Sequence, residues 1–292
     1  MTEADRYPHA VRGIGLLVLG TTAFGCLDTF SKILVAYYPA PALVWLRFVL
    51  QTLVMAVIFV PRMGRGLVRT ASLRLQLVRG VFLISSSILY VLALGHMQIA
   101  EASAITFLAP VIVALAGGWL LGERVHVRTW FAVAGGFTGV LLIIQPGGAG
   151  FTWYYLLPLG CAFSMAGYQL LTRKIAGRDD PITTLFFPGL VACLAPPAVF
   201  PGSAFDVPAQ PLHLAMLVAS GVLGAVGHFF FIRAHDHAPA TLLAPFGYAQ
   251  LVVVTILGLV VFRQLPNALA LGGMALVAGS GLGLVLASRR GG

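Results

Sequence analysis

The segment Leu94–Pro146 decides the fold, because its pattern occurs a second time in the chain. It reads LGHMQIAEASAITFLAPVIVALAGGWLLGERVHVRTWFAVAGGFTGVLLIIQP. From Arg233 the chain reads RAHDHAPATLLAPFGYAQLVVVTILGLVVFRQLPNALALGGMALVAGSGLGLV. Placing His96 on His235 gives an offset of 139 residues. Self-similarity at this spacing in a 292-residue chain predicts two halves that are built alike.

Each copy contains the same succession of features. A short polar segment is followed by an apolar run around a proline, Pro110 or Pro245. A polar break and a glycine-rich apolar run then follow. We therefore predict two domains of one design, residues 1–146 and 147–292.

The composition is that of a membrane protein. The chain is 59% hydrophobic and 9% charged, with a mean hydropathy of +0.95. A soluble domain carries about 25% charged residues. The three cysteines lie far apart in apolar runs, with no CxxC spacing. They predict buried thiols, and neither a disulfide framework nor a metal site.

Ten apolar segments are long enough to cross a bilayer, since a helix needs about 20 residues to span about 30 Å of hydrocarbon. We predict an all-α polytopic membrane protein with ten transmembrane helices. The predicted spans are 13–36, 41–60, 76–95, 101–121, 128–145, 152–173, 182–200, 211–232, 239–262 and 267–287.

The basic residues predict the orientation of these spans. If the N-terminus is cytoplasmic, 15 of the 18 Lys and Arg residues lie in inner segments or in the adjoining span ends. This is a strong positive-inside bias, and it also places the C-terminus in the cytoplasm. The net charge of +9 is then explained by topology and by anionic lipid headgroups. We expect the lipid bilayer, and not nucleic acid, as the partner of these charges.

The number of spans in each half predicts the relation between the halves. Five is odd, so the second half is inserted upside down and the two halves form an inverted repeat. Inverted repeats are typical of secondary transporters, which bind their substrate near the midplane where the repeats meet.

Short motifs in the expected order resemble a known family. Trp45–Phe48 reads WLRF early in the second span, and Gly122 and Glu123 follow the fourth span. With ten spans in two five-helix halves, the whole chain resembles the drug/metabolite transporter superfamily, EamA type. The resemblance implies export of small metabolites, and the chain looks most like bacterial amino-acid exporters of the inner membrane, aromatic amino acids included. The second half departs from the pattern, because Arg263 and Gln264 replace the Gly-Glu pair.

The motifs of ATP hydrolysis and of hydrolytic enzymes are not found in this sequence. It contains no GxxxxGK[ST], HExxH or GxSxG pattern. We expect no enzyme activity, no cofactor and no metal.

Three charges in the first two spans form the first candidate site. Asp28 and Lys32 are four residues apart on one helix face, and Arg47 lies at a similar predicted depth. Charges inside a bilayer are costly, so these should face protein or a wet cavity. They predict a clamp for a substrate carboxylate. The alternative is a structural Asp28–Arg47 pair with Lys32 reaching out to the membrane surface.

Polar and aromatic side chains inside apolar spans form the second candidate set. We expect these side chains to converge on one substrate-binding cavity, since pockets combine apolar walls with a few polar groups. The alternative is ordinary hydrogen bonding between membrane helices, and His228 is either a proton-coupling group or a core residue. The set comprises Ser86, Tyr90, Tyr168, His228 and Tyr248.

Two prolines and two glycine motifs complete the candidates. Pro110 and Pro245 interrupt the fourth and ninth spans, where they are either hinges that line the site or simple kinks. Gly135-x3-Gly139 and Gly279-x3-Gly283 predict close packing of the fifth and tenth spans. A homodimer is compatible with this pattern, but a monomer suffices for transport.

The sequence thus predicts a secondary transporter that exports amino acids by alternating access without ATP. One alternative is a permease for another small metabolite or a lipophilic cation. A second is a membrane scaffold that transports nothing.

Overall fold

The computed structural model describes residues 10–120, 127–148, 151–175, 177–199, 207–238, 243 and 246–289. These residues form eleven α-helices and two 3₁₀ segments, Gly64–Val68 and Trp153–Tyr155, and none of them lies in a strand. The all-α prediction is confirmed. In chain order the helices are α1 Ala10–Leu34, α2 Ala40–Met63, α3 Leu73–Leu94, α4 Ile99–Thr106, α5 Ala109–Leu120, α6 Val127–Ile144, α7 Leu156–Ile175, α8 Pro181–Val199, α9 Pro211–His235, α10 Ala249–Phe262 and α11 Ala268–Arg289.

Each of the ten predicted spans contains a helix. Within the described residues, five helical segments are long and apolar enough to cross a membrane, and four shorter helices are also apolar. The fourth span differs from the prediction in form, because it consists of two helices, α4 and α5. The polar break at Gly122 and Glu123 lies outside the described residues, as does Pro245.

Local sequence explains where several helices begin. α8 and α9 each start with proline, which lacks the N–H that a first turn cannot use. Asp180 precedes α8 and its Oδ1 accepts the N–H groups of Ile182 at 2.8 Å and Thr183 at 3.3 Å. Asp180 is therefore a side-chain N-cap of α8.

The chain divides into two compact units that each draw on both sequence halves. Unit 1 comprises Met1–Thr29, Gln98–Phe151 and Val226–Gly292, and unit 2 comprises Phe30–Met97 and Thr152–Ala225. α1 and α9 each contribute to both units. The predicted domains 1–146 and 147–292 stay a prediction about the repeat.

Unit 1 is built on the close contact of α6 with α11. A Cβ added at Gly139 would lie 2.6 Å from the carbonyl oxygen of Gly273, and one added at Gly135 would lie 2.6 Å from Oγ of Ser280. The first glycine motif therefore packs as expected. At Gly279 an added Cβ would meet no described atom within 4 Å, and the second motif does not make this contact.

Unit 2 is built on α3, which packs against α7 and α8, while α2 packs against α8. Gly80 of α3 lies against Val191, and Gly167 of α7 lies against the ring of Phe82. Trp45 donates its indole N–H to the carbonyl oxygen of Cys193 at 2.8 Å. The tryptophan of the WLRF motif thus ties α2 to α8.

Candidate solute-binding site

The fourth span breaks immediately before Pro110. α4 ends at Thr106 and α5 begins at Ala109, so Phe107 and Leu108 lie between the two helices. Proline has no N–H to donate to the carbonyl four residues earlier, and its ring crowds that carbonyl, so a continuous helix is disfavoured here. The break is observed, and the action of Pro110 as a hinge stays a prediction.

The break in the fourth span contacts the beginning of α10. Tyr248 is the residue before α10, and its ring centroid lies 5.0 Å from that of Phe107, with the two planes tilted by 34°. Both residues belong to unit 1. An interrupted membrane helix is a common setting for a transporter binding site.

The hydroxyl group of Tyr248 is buried and unsatisfied. Its oxygen has no hydrogen-bond partner within the part of the chain that the structure describes. It lies against Gly281 of α11, where a Cβ would collide with it. A buried hydroxyl without a partner costs free energy, so a polar atom of a bound solute or water would be favourable at this position.

Asp28 contacts α10 in the same unit. Its side chain is 7% exposed, and its Oδ2 accepts a hydrogen bond of 3.1 Å from Nε2 of Gln250. Gly25 allows the approach, because a Cβ there would lie 2.7 Å from Cγ1 of Val253. The Asp28 carboxyl group therefore lies at the same end of α10 as Tyr248, because Gln250 is the second residue of that helix and Tyr248 directly precedes it.

His228 packs against the helix that carries Asp28. Its ring centroid lies 5.0 Å from that of Phe24, which approaches edge-on at 69°. Phe24 lies four residues before Asp28 and therefore on the same face of α1. Unit 1 brings Asp28, His228 and Tyr248 into one set of contacting helices through Phe24, Phe107 and Gln250.

Lys32 belongs to unit 2 and binds backbone carbonyls there. Its Nζ donates to the carbonyl oxygens of Leu94 at 2.8 Å and Met97 at 2.6 Å. The last carbonyls of a helix have no partner within the helix, and a cation also interacts favourably with this end. Lys32 therefore caps α3, a role that neither sequence-based alternative anticipated.

Arg47 is buried and lies near Ser31. One of its terminal nitrogens is 3.5 Å from Oγ of Ser31, and its guanidinium carbon lies 5.3 Å from the ring centroid of Phe48. Arg47 and Lys32 lie in unit 2 whereas Asp28 lies in unit 1. The carboxylate clamp stays a prediction.

The remaining candidates lie on α3 and α7 of unit 2. Ser86 is buried and donates to the carbonyl oxygen of Leu83 in its own helix at 2.7 Å, and Tyr90 is half-buried. Tyr168 lies under the guanidinium of Arg79, whose central carbon is 5.1 Å from the tyrosine ring centroid. Convergence of the whole set on one cavity stays a prediction.

Asp179 links the loops at one end of unit 2. It accepts hydrogen bonds from Oγ1 of Thr70 at 2.5 Å, the N–H of Ala71 at 2.7 Å and Nε2 of Gln76 at 3.0 Å. Partial burial alone would raise the pKa of the Asp179 carboxyl, but these hydrogen bonds and the nearby Arg79 charge hold the pKa below its usual value.

Several residues of these networks were not among the predicted site residues. Phe107, Gln76 and Arg79 lie inside predicted membrane spans, and Asp179 lies in the loop between the sixth and seventh predicted spans. Glu101 is also buried, although it lies at the start of α4. The position of Arg79 inside the third predicted span, 76–95, was an available signal, whereas Glu101 is the first residue of the fourth predicted span, 101–121, and gave none.

The described residues contain no group of three or more His, Cys, Asp or Glu side chains that could hold a metal ion.

Apolar membrane-length helices in two five-helix repeats, with a break in the fourth span and buried polar groups, define a membrane transporter. The family model "EamA-like transporter family" matches residues 11–145 and again 152–286. The chain belongs to this family, which is part of the drug/metabolite transporter superfamily.

Characterised relatives cover nearly the whole chain. A pseudopaline exporter of Pseudomonas aeruginosa is 28% identical over 91% of this chain and 93% of its own length. A riboflavin transporter of Rhizobium johnstonii is 29% identical over 94% of this chain and 91% of its own length. An S-adenosylmethionine uptake transporter of Rickettsia conorii is 22% identical over 98% of this chain and 96% of its own length. A crystal structure with 22% identity superposes with a TM-score of 0.59 over 93% of this chain and 98% of that one, and it shares the fold.

Proposed function

We propose that this transporter exports amino acids across the bacterial inner membrane by alternating access, without ATP. The observation that carries the proposal is the cluster in unit 1 where the break between α4 and α5 meets the start of α10. There Tyr248 contacts Phe107, and Gln250 holds the carboxyl group of Asp28.

The chemistry of this cluster favours a solute with a planar or apolar side chain and an amino group. Aromatic rings offer apolar contact area and attract cations over their faces. The Asp28 carboxylate attracts an ammonium group, and the Tyr248 hydroxyl can donate to a polar atom of the solute. An aromatic amino acid has all of these features.

The names of the relatives support a broader range of solutes and both directions of transport. One relative is an exporter, another is an uptake transporter, and their solutes are pseudopaline, riboflavin and S-adenosylmethionine. A permease for another small metabolite or for a lipophilic cation is therefore the second candidate. The same aromatic and acidic groups of unit 1 would bind such a solute.

Flux into liposomes that contain the purified protein tests the proposal. We expect radiolabelled phenylalanine to cross at a rate well above that of empty liposomes, and other amino acids to compete. Riboflavin and a lipophilic cation such as tetraphenylphosphonium are measured beside it, with and without a pH gradient. Flux of riboflavin or the cation without flux of any amino acid would establish the second candidate instead, and no flux of any solute would support a scaffold.

The proposed orientation has its own test. With both termini in the cytoplasm, the loop that contains Gly66 is inside. A cysteine placed at position 66 should react with a membrane-impermeant maleimide only after the cells are permeabilised. Reaction from the periplasm would overturn the orientation and with it the placement of every loop.

The clamp formed by Asp28, Lys32 and Arg47 is tested by substitution. If the cluster binds a solute carboxylate, Arg47→Ala abolishes flux while folded protein remains in the membrane. If Asp28 and Arg47 form a structural pair, the same change costs about 3–5 kcal/mol and folded protein is lost. The double change Asp28→Asn with Arg47→Gln then restores folded and active transporter, a result that would overturn the clamp.

A further inference from the structure

One end of unit 2 carries a dense group of exposed basic side chains. Two segments form this end, one from the last turn of α2 to the first turn of α3 and the other from the last turn of α7 to the start of α8. In these two segments the sequence has only two acids, Asp179 and Asp180, which cannot neutralise seven cations. The seven exposed cations, which we call the basic cluster, are Arg62, Arg65, Arg69, Arg74, Arg173, Lys174 and Arg178.

Hydrogen bonds join the two segments and make the basic cluster one surface. Asp179 accepts a hydrogen bond of 2.5 Å from Oγ1 of Thr70, across 109 residues of sequence. Oγ1 of Thr183, near the start of α8, donates to the carbonyl oxygen of Gly66 at 3.2 Å. Beside these bonds, Leu67 is buried in an apolar cluster with side chains of α2 and α8. The cations of both segments therefore lie at the same end of unit 2.

The side chains of the cluster favour phosphate as their anionic partner. Six of the seven are arginine, whose planar guanidinium group places two parallel donors against two oxygens of one phosphate. The start of α3 adds to this preference. Ser72 makes no side-chain cap there, and the first turn carries Arg74 and no acid. The positive end of the helix dipole is therefore not balanced by the first turn, and it favours an anion at the same place.

An exposed apolar face of α3 begins directly at the basic cluster. Leu73, Leu77 and Val81 are 52%, 45% and 51% exposed, and their spacing of four residues puts them on one helix face. Arg74 is the neighbour of Leu73 in sequence, and the exposed Val78 lies four residues after it. The apolar face extends for about 12 Å along the helix. A phospholipid has both a phosphate for the cations and an acyl chain for this face, whereas a soluble anion has only the first.

We propose that the basic cluster and the apolar face of α3 bind an anionic phospholipid, with preference for a lipid that has two phosphate groups. The guanidinium groups pair with phosphate oxygens, and an acyl chain lies along Leu73, Leu77 and Val81. Basic segments are attracted to anionic membranes in general, but that attraction needs no acyl-chain contact, whereas this site does. The site does not depend on which solute the transporter carries.

Thermal unfolding of the purified protein in dodecyl maltoside with added lipid tests the site. The probes are dioleoyl phosphatidylcholine, which has no net charge, dioleoyl phosphatidylglycerol, which has one phosphate charge, tetraoleoyl cardiolipin, which has two phosphates, and glycerol 1-phosphate, which has no acyl chain. We expect the largest rise in Tm with cardiolipin, a smaller rise with phosphatidylglycerol and almost none with the other two. Equal stabilisation by phosphatidylcholine and cardiolipin, or by glycerol 1-phosphate and phosphatidylglycerol, would overturn the proposal.

Two triple variants locate the charges that bind the lipid. The cluster variant, in which three exposed arginines are neutralised, should lower the apparent affinity for cardiolipin by tenfold or more. It combines Arg65→Gln, Arg69→Gln and Arg74→Gln. The matched control removes three exposed arginines from unit 1 and should keep the wild-type affinity. It combines Arg12→Gln, Arg233→Gln and Arg263→Gln. Equal losses of affinity in the two variants would show a response to net charge alone, and the proposed site would be wrong.

A double variant tests the apolar face with all charges retained. Leu73→Gln with Leu77→Gln should lower the apparent affinity for cardiolipin several-fold, and unchanged affinity would remove the acyl-chain contact and with it the lipid site. If the cluster variant does not fold, wild-type protein in 1 M NaCl replaces it, because the Debye length is then about 3 Å. The Tm shift with cardiolipin should fall to that with phosphatidylcholine, and a shift that persists in 1 M NaCl would overturn the role of the arginines.

Discussion

The two units use their buried polar groups in different ways. In unit 2, Lys32 binds two backbone carbonyls, and Asp179 accepts hydrogen bonds from two donors of the loop before α3 and from Gln76 of α3 itself. In unit 1, Gln250 orients the Asp28 carboxyl, while the Tyr248 hydroxyl, beside the break of the fourth span, has no hydrogen-bond partner among the described residues. A charge inside a membrane helix is therefore not by itself a sign of solute binding, because it can instead bind the free carbonyl oxygens at the end of another helix, as Lys32 does.

The contrast implies different consequences of substitution. Removing a group that satisfies backbone carbonyls, as Lys32 does, or hydrogen-bond donors, as Asp179 does, should reduce the amount of folded protein. Removing a polar group that has no partner among the described residues and is proposed to bind the solute, such as the Tyr248 hydroxyl, should leave folding intact and reduce transport.

The largest effect is expected for Asp179→Ala. This change removes the acceptor of three hydrogen bonds and leaves Gln76 buried without its Asp179 contact, so we expect a loss of about 3 kcal/mol of unfolding free energy. Urea or thermal unfolding in detergent measures it. The control is Asp236→Ala, whose exposed pair with Arg233 should contribute less than about 0.5 kcal/mol. Equal losses in the two variants would show that the Asp179 network does not hold the loops.

Lys32→Met should have the next largest effect. It removes the charged donor that caps the carbonyls of Leu94 and Met97, at a cost of about 2 kcal/mol and with a visible loss of folded protein. Fluorescence-detected size-exclusion chromatography gives the folded fraction. Fully folded protein without flux is the opposite result, and it would return Lys32 to the solute site.

Gly281→Ala should affect transport more than folding. The methyl group meets the hydroxyl of Tyr248, so the ring must rotate away from its present position near Phe107. We expect the KM for the solute to rise several-fold. Gly279→Ala on the same helix, where an added Cβ meets no described atom, is the control and should transport normally.

The smallest effect is a pH dependence that unit 2 owes to Asp179. A carboxyl whose folded pKa is lowered stabilises the fold above its unfolded pKa of about 3.9, and this stability is lost as pH falls through the folded value. Wild-type Tm should therefore fall more steeply than that of Asp179→Asn below about pH 4. If Tm falls equally steeply with decreasing pH in both proteins, the Asp179 carboxylate does not contribute to the pH dependence of stability.

Much of this fold could be predicted from composition and periodicity. Apolar runs of membrane length mark the spans, and the repeat of Leu94–Pro146 indicates the two five-helix halves. Pro110 predicts an interruption of the fourth span, because proline lacks the backbone N–H that a continuous helix requires, and this effect does not depend on distant residues.

The roles of individual polar residues could not be predicted in the same way. Lys32 caps α3 through carbonyls more than 60 residues away in sequence, and Gln250 reaches Asp28 across 222 residues. Spacing within a helix identifies which side chains share a face, but it does not identify what the face meets. Asp28 and Lys32 share a face of α1 and nevertheless belong to different units.

Two tyrosines provide the most direct test of the central claim that unit 1 holds the solute site. Tyr38→Phe removes a hydrogen bond of 3.0 Å with Nδ1 of His213 in unit 2, so Tm should fall while flux per folded molecule is unchanged. Tyr248→Phe removes a hydroxyl that has no hydrogen-bond partner in the described part of the chain, so Tm should stay the same or rise while the flux of phenylalanine at subsaturating concentration falls by about tenfold. Unchanged flux in Tyr248→Phe, with a loss of Tm as large as that of Tyr38→Phe, would contradict the account.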